Sequence, residues 1–334
     1  MTSNPPIRIG ATRGGIVESA HSVHAVVAGP DGDALHVFGD AERMVFPRSS
    51  LKAIQALPLV ETGAADAFGC SQRELALACA SHEGEHYHIG GVESWLGRIG
   101  LSQDSLVCGP EWPRRLEDSQ SMLREGAVPG RVHNNCSGKH SGMLTTARHM
   151  REEAANYVGL DHGVQRRVFE AIEALTGQTL ENAPIGIDGC SAPNPALPLA
   201  CFAVAAARYA EASDVRLGPV RAAACRRLMA AMRAAPEMVG GTSRVDTDLI
   251  RGLGGRVLSK TGAEGVYFLY LPERKLGVAL KAEDGNPRAS AGAIWSVLDR
   301  LGELDDGARD ALRPHCRPVL RNWDGLEIGE IREV

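Results

Sequence analysis

Phe46-Pro-Arg-Ser-Ser-Leu-Lys-Ala-Ile-Gln55 is the stretch that decides the fold. Ser49 stands at or just inside a predicted helix start, and Lys52 follows three residues later, so both side chains lie on one face of the helix. The helix N-terminus favours negative charge on the serine oxygen, and a desolvated lysine can lose its proton and act as a base. The pattern predicts a serine nucleophile with a lysine base. The same residues also suit an ordinary helix start with a solvated lysine.

Leu258-Ser-Lys-Thr-Gly-Ala-Glu-Gly265 supplies a second motif far along the chain. A Lys-Thr-Gly sequence on a strand edge, after a distant Ser-x-x-Lys, is the order found in penicillin-recognising serine enzymes. Glycine after the threonine would let a substrate backbone approach the strand. A strand that ends in a turn explains this stretch equally well. The two motifs in this order, with helices between them, favour catalysis.

Strands are predicted at both ends of the chain and helices between them. Alternating or continuous apolar runs predict strands over 22–28, 34–38, 255–260, 265–270 and 276–281. Helical spacing of Ala and Leu predicts helices over 71–80, 87–98, 138–150, 161–176, 195–210, 217–235, 288–303 and 305–312. The predicted fold is therefore α/β of the α+β kind, with one antiparallel sheet built from N- and C-terminal strands, flanking helices and a central helical lobe.

The domain prediction for residues 1–334 is a single catalytic unit. Its sheet lobe covers about 1–48 and 250–334, and its helical lobe covers about 49–249. A length of 334 residues fits one large domain or two closely joined ones. A cleft between sheet and helices is a natural place for a binding site.

Composition and charge restrict the classes of binding partner and the cellular compartment that we expect for this protein. The net charge is −5 with neutral histidines and no basic block is present, which argues against nucleic acid or an anionic membrane as partner. No apolar run approaches the roughly 20 residues that span a bilayer, and the N-terminal segment lacks a signal-peptide pattern. We therefore expect a cytoplasmic protein without a disulfide framework, in which most of the eight cysteines are core or functional thiols. Cys201 and Cys225 lie in apolar runs and are predicted to pack in the core.

Three further stretches concentrate polar residues. Asn134-Asn-Cys-Ser-Gly-Lys-His-Ser-Gly142 precedes an apolar helix and could bind an anion through its amides. Gly186-Ile-Asp-Gly-Cys-Ser-Ala-Pro-Asn194 could hold a cation or a substrate amine. Cys79-Ala-Ser-His-Glu-Gly-Glu-His86 places Ser81 after a helix. Each also suits an ordinary helix start, turn or loop, and the spacing of His82, His86 and His88 matches no standard metal site.

Taken together, the sequence resembles the Rhizobium etli-type L-asparaginase II family over about residues 8–332. The resemblance is carried by six stretches: Arg13-Gly-Gly-Ile-Val-Glu-Ser, Arg48-Ser-Ser-Leu-Lys, Ser81-His-Glu, Asn135-Cys-Ser-Gly-Lys-His, Asp188-Gly-Cys and Lys260-Thr-Gly-Ala-Glu-Gly. It implies a fold similar to serine β-lactamases, penicillin-binding proteins and glutaminases. Ser81 stands where the penicillin-recognising enzymes have Ser-x-Asn or Tyr-x-Asn, which argues against peptidase or β-lactamase activity.

The resemblance also implies the residues of the site. Two catalytic pairs are expected, Ser49 with Lys52 and Ser81 with Lys260. Arg48, His140 and Asp188 are implied as substrate-binding residues. Cys136, Lys139 and Cys190 are implied as ligands of zinc, which we expect to support the site rather than perform the hydrolysis. A lysine ligand is unusual because the metal must displace its proton.

The leading hypothesis is an L-asparaginase that hydrolyses L-asparagine to L-aspartate and ammonia through an acyl-enzyme. One alternative is another serine acyl hydrolase, acting on glutamine or a β-lactam. A second alternative is a non-catalytic zinc-binding or redox protein that uses Cys136 and Cys190. Ser49, Lys52 and Lys260 favour an enzyme, because a sensor has no use for them. The predicted partner is a small-molecule substrate, with neither nucleic acid nor membrane, and we expect a homodimer.

Overall fold

The computed structural model describes residues 4–334. Twelve strands occur in this part of the chain: β1 (Ile7–Arg13), β2 (Ile16–Ala28), β3 (Ala34–Phe38), β4 (Met44–Val45), β5 (Ile185–Ile187), β6 (Pro193–Pro195), β7 (Leu197–Pro198), β8 (Leu258–Thr261), β9 (Val266–Leu271), β10 (Leu276–Ala282), β11 (Val319–Arg321) and β12 (Glu327–Glu333). All five predicted strands are present and overlap β2, β3, β8, β9 and β10, although β8 begins at Leu258, three residues later than predicted.

Fifteen α-helices occur in the same range: α1 (Lys52–Gln55), α2 (Leu57–Glu61), α3 (Ala64–Ala67), α4 (Gln72–Ala78), α5 (His86–Arg98), α6 (Leu116–Arg124), α7 (Ser137–His149), α8 (Gly163–Thr176), α9 (Leu199–Glu211), α10 (Asp214–Leu217), α11 (Pro219–Ala234), α12 (Pro236–Val239), α13 (Val245–Gly252), α14 (Pro287–Arg300) and α15 (Asp306–Cys316). All eight predicted helices are confirmed. Short 3₁₀ turns cover Arg48–Leu51, Gln103–Ser105, Arg131–His133 and Pro272–Arg274. None of these helices is both long and apolar enough to cross a membrane.

The chain divides into two compact units. The sheet unit contains the residues up to Ser50, Ala196–Glu211 and Asp248–Val334, and the helical unit contains Leu51–Pro195 and Ala212–Thr247. The stretch 196–211, which the sequence assigned to the helical lobe, belongs to the sheet unit because α9 packs on β2, β9 and β10. That the chain is a single catalytic unit stays a prediction.

The sheet unit is built on one antiparallel sheet of eight strands. Its order is β11-β12-β1-β2-β10-β9-β8, with β3 paired to β2 as well. Strands from the two chain ends are thus neighbours, with Val278 opposite Val27 and Ala11 opposite Ile331. The predicted sheet of N- and C-terminal strands is confirmed.

Small residues let helices approach both faces of this sheet. A side chain at Gly277 in β10 would clash with the backbone of α9 at Ala203 and Ala207. A side chain at Gly292 in α14 would meet Ile9 of β1. The strand register places Gly277 and Ile9 on opposite faces, so α9 and α14 cover the two sides. Because few residues are aromatic, the space between helix and sheet is filled by close approach of the backbones rather than by bulky side chains.

The helical unit surrounds α7, which carries the Cys-Ser-Gly-Lys-His motif. Every residue of α7 from Ser137 to Ala147 is buried, and the helix packs against α2, α3, α4, α5 and α8. A side chain at Gly138 would clash with the Leu77 carbonyl of α4. Buried hydroxyls in α7 are satisfied within the helix, since Thr145 Oγ1 donates to the Ser141 carbonyl at 2.7 Å. The motif is therefore held by a helix that is enclosed on all sides.

All eight cysteines are free thiols, as the sequence predicted. Cys225 is buried in α11, whereas Cys201 in α9 is only partly buried. The other six are buried as well.

Candidate active site

Lys52 is the centre of a hydrogen-bond network inside the helical unit. Its side chain is fully buried at the start of α1. Lys52 Nζ donates to the Ala80 carbonyl at 2.6 Å, to Ser81 Oγ at 3.0 Å, and to both Asn135 oxygens at 3.2 Å. Lys52 of the Ser-x-x-Lys motif therefore contacts the hydroxyl of Ser81.

Ser81 is positioned by backbone contacts just after α4. Its amide donates to the Val239 carbonyl at 3.0 Å, and its side chain is 3% exposed. A hydroxyl accepts a hydrogen bond from a charged lysine and donates one to a neutral lysine, so this contact can pass a proton either way. The structure thus shows a Lys52–Ser81 contact, while the pairings of Ser49 with Lys52 and of Ser81 with Lys260 stay predictions.

Asn135 is held in one orientation by Glu111. Glu111 Oε2 accepts hydrogen bonds from the Asn135 backbone amide at 3.0 Å and from Asn135 Nδ2 at 2.6 Å. Arg114 donates to the other carboxylate oxygen at 3.0 Å. Burial acts to raise the pKa of Glu111, but Arg114 and the two Asn135 donors lower it overall. The anionic carboxylate therefore turns Asn135 Oδ1 towards Lys52.

Cys136, Lys139 and Cys190 are brought together as the resemblance implied. Lys139 Nζ donates to Cys190 Sγ at 3.0 Å, and the Cys136 thiol donates to Asn135 Oδ1 at 3.3 Å. The neighbouring Cys136 thiol lowers the pKa of Cys190 to about 5, with Lys139 adding to this against the effect of burial. Burial acts to lower the pKa of Lys139, but the charges of Cys190, Cys136 and Asp188 raise it overall. A thiolate with a neighbouring ammonium results.

This cluster fits the donor set of a zinc site. The two buried cysteines supply sulfur ligands of the type that zinc prefers, and the buried Lys139 amine is an unusual third donor whose proton the metal must displace. Since neither thiol is in a disulfide, both are available as ligands. No group of three or more His, Cys, Asp and Glu residues placed to hold a metal occurs among residues 4–334, so a metal here would need Lys139 as its third ligand. Zinc itself stays a prediction.

Asp188 and Cys190 come from the turn of a small hairpin. β5 pairs with β6, and the Asp188 amide donates to the Ala192 carbonyl at 2.9 Å. Ser191 has a φ of 72°, a conformation that non-glycine residues adopt only when the surroundings enforce it. The hairpin therefore leaves the Asp188 side chain partly exposed and keeps the Cys190 sulfur buried.

His140 is fully buried one residue after Lys139. Its Nδ1 lies 2.7 Å from the Tyr157 hydroxyl, and its Nε2 has no hydrogen-bond partner among residues 4–334. Burial, with the charge of Lys139, holds the pKa of His140 well below its usual range. The implied substrate-binding histidine is thus neutral, with one ring nitrogen unsatisfied.

The sheet unit carries Arg48, Ser49 and Lys260. Arg48 has a φ of 52° and opens the 3₁₀ turn that contains Ser49; both residues are partly exposed. Lys260 is fully buried in β8, and its Nζ donates to the Thr261 carbonyl at 2.7 Å. Ser49 and the Lys-Thr-Gly motif therefore belong to this unit, whereas Lys52 belongs to the helical unit.

Gly262 gives the second motif a different role from the predicted one. A side chain there would crowd Ser50 Oγ at 2.6 Å and the Pro47 carbonyl at 2.8 Å. The glycine therefore admits the chain's own Pro47–Ser50 turn, whereas the sequence suggested the approach of a substrate backbone. The end of β8 and the serine turn are brought side by side.

The histidines near Ser81 are structural. His82 and His88 stack with ring centroids 4.9 Å apart. His82 accepts from the Gly84 amide and pairs with Ser137 Oγ, while His88 accepts from the Glu85 amide and pairs with the Glu237 carbonyl. Burial lowers the pKa of His88 to about 4 and that of His82 well below its usual range. Both nitrogens of each ring are in use, so neither ring is placed to bind a metal.

Sequence reasoning missed three residues that contact the predicted site residues Lys52 and His140 directly or through one neighbour. Asn135 lies within the polar stretch Asn134–Gly142, but the sequence did not indicate which of these polar residues has a specific role. Glu111 and Tyr157 stand in irregular segments with no motif around them. Only their contacts in the folded chain identify them.

A buried lysine in contact with a serine hydroxyl is the arrangement by which Ser–Lys acyl-transfer enzymes activate oxygen. A sequence profile described as L-asparaginase II matches residues 9–333. The chain belongs to the L-asparaginase II family. The comparison with curated proteins found no match.

Solved structures to which this chain is similar include Mglu in its native form, with 14% identity and a TM-score of 0.48. That match covers 85% of this chain and 65% of Mglu, so the chain spans just under two thirds of its length. A D-alanine carboxypeptidase AmpC from Burkholderia cenocepacia has 14% identity and a TM-score of 0.42, over 84% of this chain and 93% of that one. A β-lactamase from Mycobacterium bovis has 14% identity and a TM-score of 0.37, over 84% and 95%.

Proposed function

We propose that this protein is an L-asparaginase, which hydrolyses the side-chain amide of L-asparagine to L-aspartate and ammonia. Membership of the L-asparaginase II family supports the amide substrate. The observation that carries the mechanism is the 3.0 Å contact between Lys52 Nζ and Ser81 Oγ. A buried lysine needs oxygen acceptors for its N–H bonds, and among the four partners of Lys52 only Ser81 Oγ can also donate back to the amine.

Ser49 is the proposed nucleophile. It is partly exposed, whereas Ser81 is nearly inaccessible to a substrate. Ser49 Oγ attacks the amide carbon while its proton passes to neutral Lys52, which is three residues away in the chain. The proton then leaves with the amide nitrogen as ammonia, and an ester between Ser49 and the aspartyl group remains. Water hydrolyses this ester to aspartate and restores the serine.

Substrate charge is matched by the partly exposed residues. Arg48 supplies a positive charge for the α-carboxylate, and Asp188 supplies a negative charge for the α-ammonium group. Glutamine carries one more methylene than asparagine, which in a fitted pocket changes the selectivity by about 1–3 kcal/mol. A clear preference for asparagine follows.

Zinc has a supporting role in this proposal. Cys136, Lys139 and Cys190 would hold it, and its positive charge would order the loop that carries Asp188. Proton transfer remains with Lys52 and its serine partners.

The decisive experiment measures ammonia release from L-asparagine and L-glutamine, together with nitrocefin cleavage. Turnover of asparagine with a lower kcat/KM for glutamine and no nitrocefin cleavage supports the proposal. Equal efficiency on the two amides contradicts the asparagine preference. Nitrocefin cleavage indicates a β-lactamase-like hydrolase instead. Absence of all three activities in protein that contains zinc favours a non-catalytic zinc or redox protein.

A further inference from the structure

Tyr157 contacts His140 through both its hydroxyl and its ring. Its side chain is fully buried, and its ring packs edge-on against the His140 ring with centroids 5.5 Å apart. Gln165 Nε2 in α8 donates to the Tyr157 carbonyl at 2.9 Å and fixes the backbone. The tyrosine is therefore a rigid support for the histidine.

The two partners of the Tyr157 hydroxyl indicate which group donates in each hydrogen bond. The Val107 amide donates to this oxygen at 3.1 Å. The remaining contact of the hydroxyl is His140 Nδ1 at 2.7 Å, so the tyrosine proton points there and Nδ1 is the acceptor. A neutral imidazole that accepts at Nδ1 carries its proton at Nε2.

His140 Nε2 is consequently an N–H donor in a fully buried position. Among residues 4–334 it has no acceptor. A buried donor without a partner is destabilising, so a ligand that supplies an acceptor is favoured there. An N–H group cannot bind a metal or an ammonium group, but it suits a carboxylate or carboxamide oxygen.

We propose that Tyr157 is a positioning residue that holds His140 as the Nε2–H tautomer, so that this nitrogen donates a hydrogen bond to an oxygen of the substrate. The identity of the substrate rests on the asparaginase function proposed above, whereas the tautomer does not. Two sources of the oxygen share this chemistry, the α-carboxylate and the side-chain amide.

The first test is spectroscopic and uses the ligand-free protein. Nitrogen-15 NMR of histidine-labelled protein, with His140→Gln to assign the signal, reports which ring nitrogen carries the proton. We expect the Nε2–H form in the native protein and a shift towards Nδ1–H in Tyr157→Phe, which removes the hydroxyl proton. A native signal from the Nδ1–H form, or no change in Tyr157→Phe, would overturn the proposal. This result is obtained whether or not asparagine is a substrate.

The second test measures ligand affinity. Tyr157→Phe should weaken the binding of L-aspartate about tenfold, as expected for one hydrogen bond to a charged group, and unchanged binding would contradict the proposal. Inhibition by 3-aminopropanamide, which lacks the carboxylate, distinguishes the two sources of the oxygen. An unchanged inhibition constant assigns the bond to the carboxylate, and a raised one assigns it to the amide.

Tyr209→Phe is the matched control. Tyr209 is a fully buried tyrosine in α9 of the sheet unit. Its substitution should leave both the His140 signal and aspartate binding unchanged. Equal effects from the two substitutions would mean that loss of any buried hydroxyl disturbs the protein, and this would overturn the positioning role.

Discussion

Lys52 has more acceptors than protons. An ammonium group has three N–H bonds, yet four oxygens lie within hydrogen-bond distance of Lys52 Nζ. Two of them are backbone carbonyls, and the third is the Asn135 amide oxygen, which Glu111 prevents from exchanging places with the NH₂ group. Only Ser81 can reverse its role and donate to a lysine that has lost its proton. In the proposed mechanism, Ser81 is therefore the one partner that can stabilise Lys52 as the base.

Ser49→Ala should lower kcat by about 10³-fold or more while the protein stays folded, because alanine lacks the hydroxyl that is the proposed nucleophile. Stopped assays of ammonia release would measure this. Ser50→Ala is the adjacent control, since Ser50 Oγ is buried with no hydrogen-bond partner in residues 4–334. Near-native turnover in Ser49→Ala would show that a different residue is acylated.

Glu111→Gln should lower kcat about tenfold and change KM little. A neutral amide no longer forces Asn135 Nδ2 to face it, so Asn135 can rotate and donate to neutral Lys52 in place of Ser81. Steady-state kinetics would measure the separation of kcat from KM. Glu117→Gln is the control, because Glu117 is 81% exposed and pairs with Arg115. Equal kcat values for the two variants would remove Glu111 from the network.

Motifs predicted individual residues of the site but not all of their contacts. The clustering of Cys136, Lys139 and Cys190 was expected and is present. The Lys52–Ser81 contact depends on where α4 ends and how α1 packs, which spacing along the chain does not encode. Glu111 acts through Asn135, and Tyr157 through His140. Neither has a local pattern, because a hydrogen bond across a fold needs no sequence motif.

At the scale of the elements, the contact of α9 with β10 leaves no room for a side chain. Gly277→Ala would place a methyl group against the backbone of α9. We expect a loss of about 3 kcal/mol or more in the free energy of unfolding, because a backbone cannot move aside as a side chain does. Urea denaturation would measure it. Gly97→Ala, on an open face of α5, should be neutral or slightly stabilising. A similar result for both would contradict the tight packing.

Periodicity predicted the elements wherever it was strong. The Ala-rich helices were all found, although α9 begins at Leu199 because β7 occupies the preceding residues. β1, β11 and β12 were missed. In β12 the apolar residues Ile328 and Ile331 are three apart, which does not suggest a strand, and only Ile331 is buried. Its place in the sheet comes from pairing with β1.

At the scale of the whole molecule, the predicted metal should be separable from the chemistry. We expect purified protein to contain about one zinc per chain. Chelation should raise KM while kcat largely survives, because Lys52 and its serine partners supply nucleophile and base. Elemental analysis and steady-state kinetics before and after chelation would measure this. Cys136→Ser combined with Cys190→Ser should behave in the same way.

Two outcomes would contradict that role for zinc. Protein purified without added metal that holds far less than one zinc per chain, with activity unaffected by chelator, would leave a metal-free cluster of two thiols and a lysine. Loss of kcat on chelation, restored by zinc, would make the metal the catalyst and displace Ser49.

Because most of the cysteines are buried, the reactivity of their thiols can report local and global unfolding of the chain. Seven of the eight thiols are buried and one, Cys201, is partly buried. A bulky alkylating reagent should therefore label the native chain slowly and at Cys201 first, and should label all eight once the chain unfolds. Mass spectrometry after brief pulses would then count molecules that opened, and the order of labelled cysteines would show which helices detach before the rest.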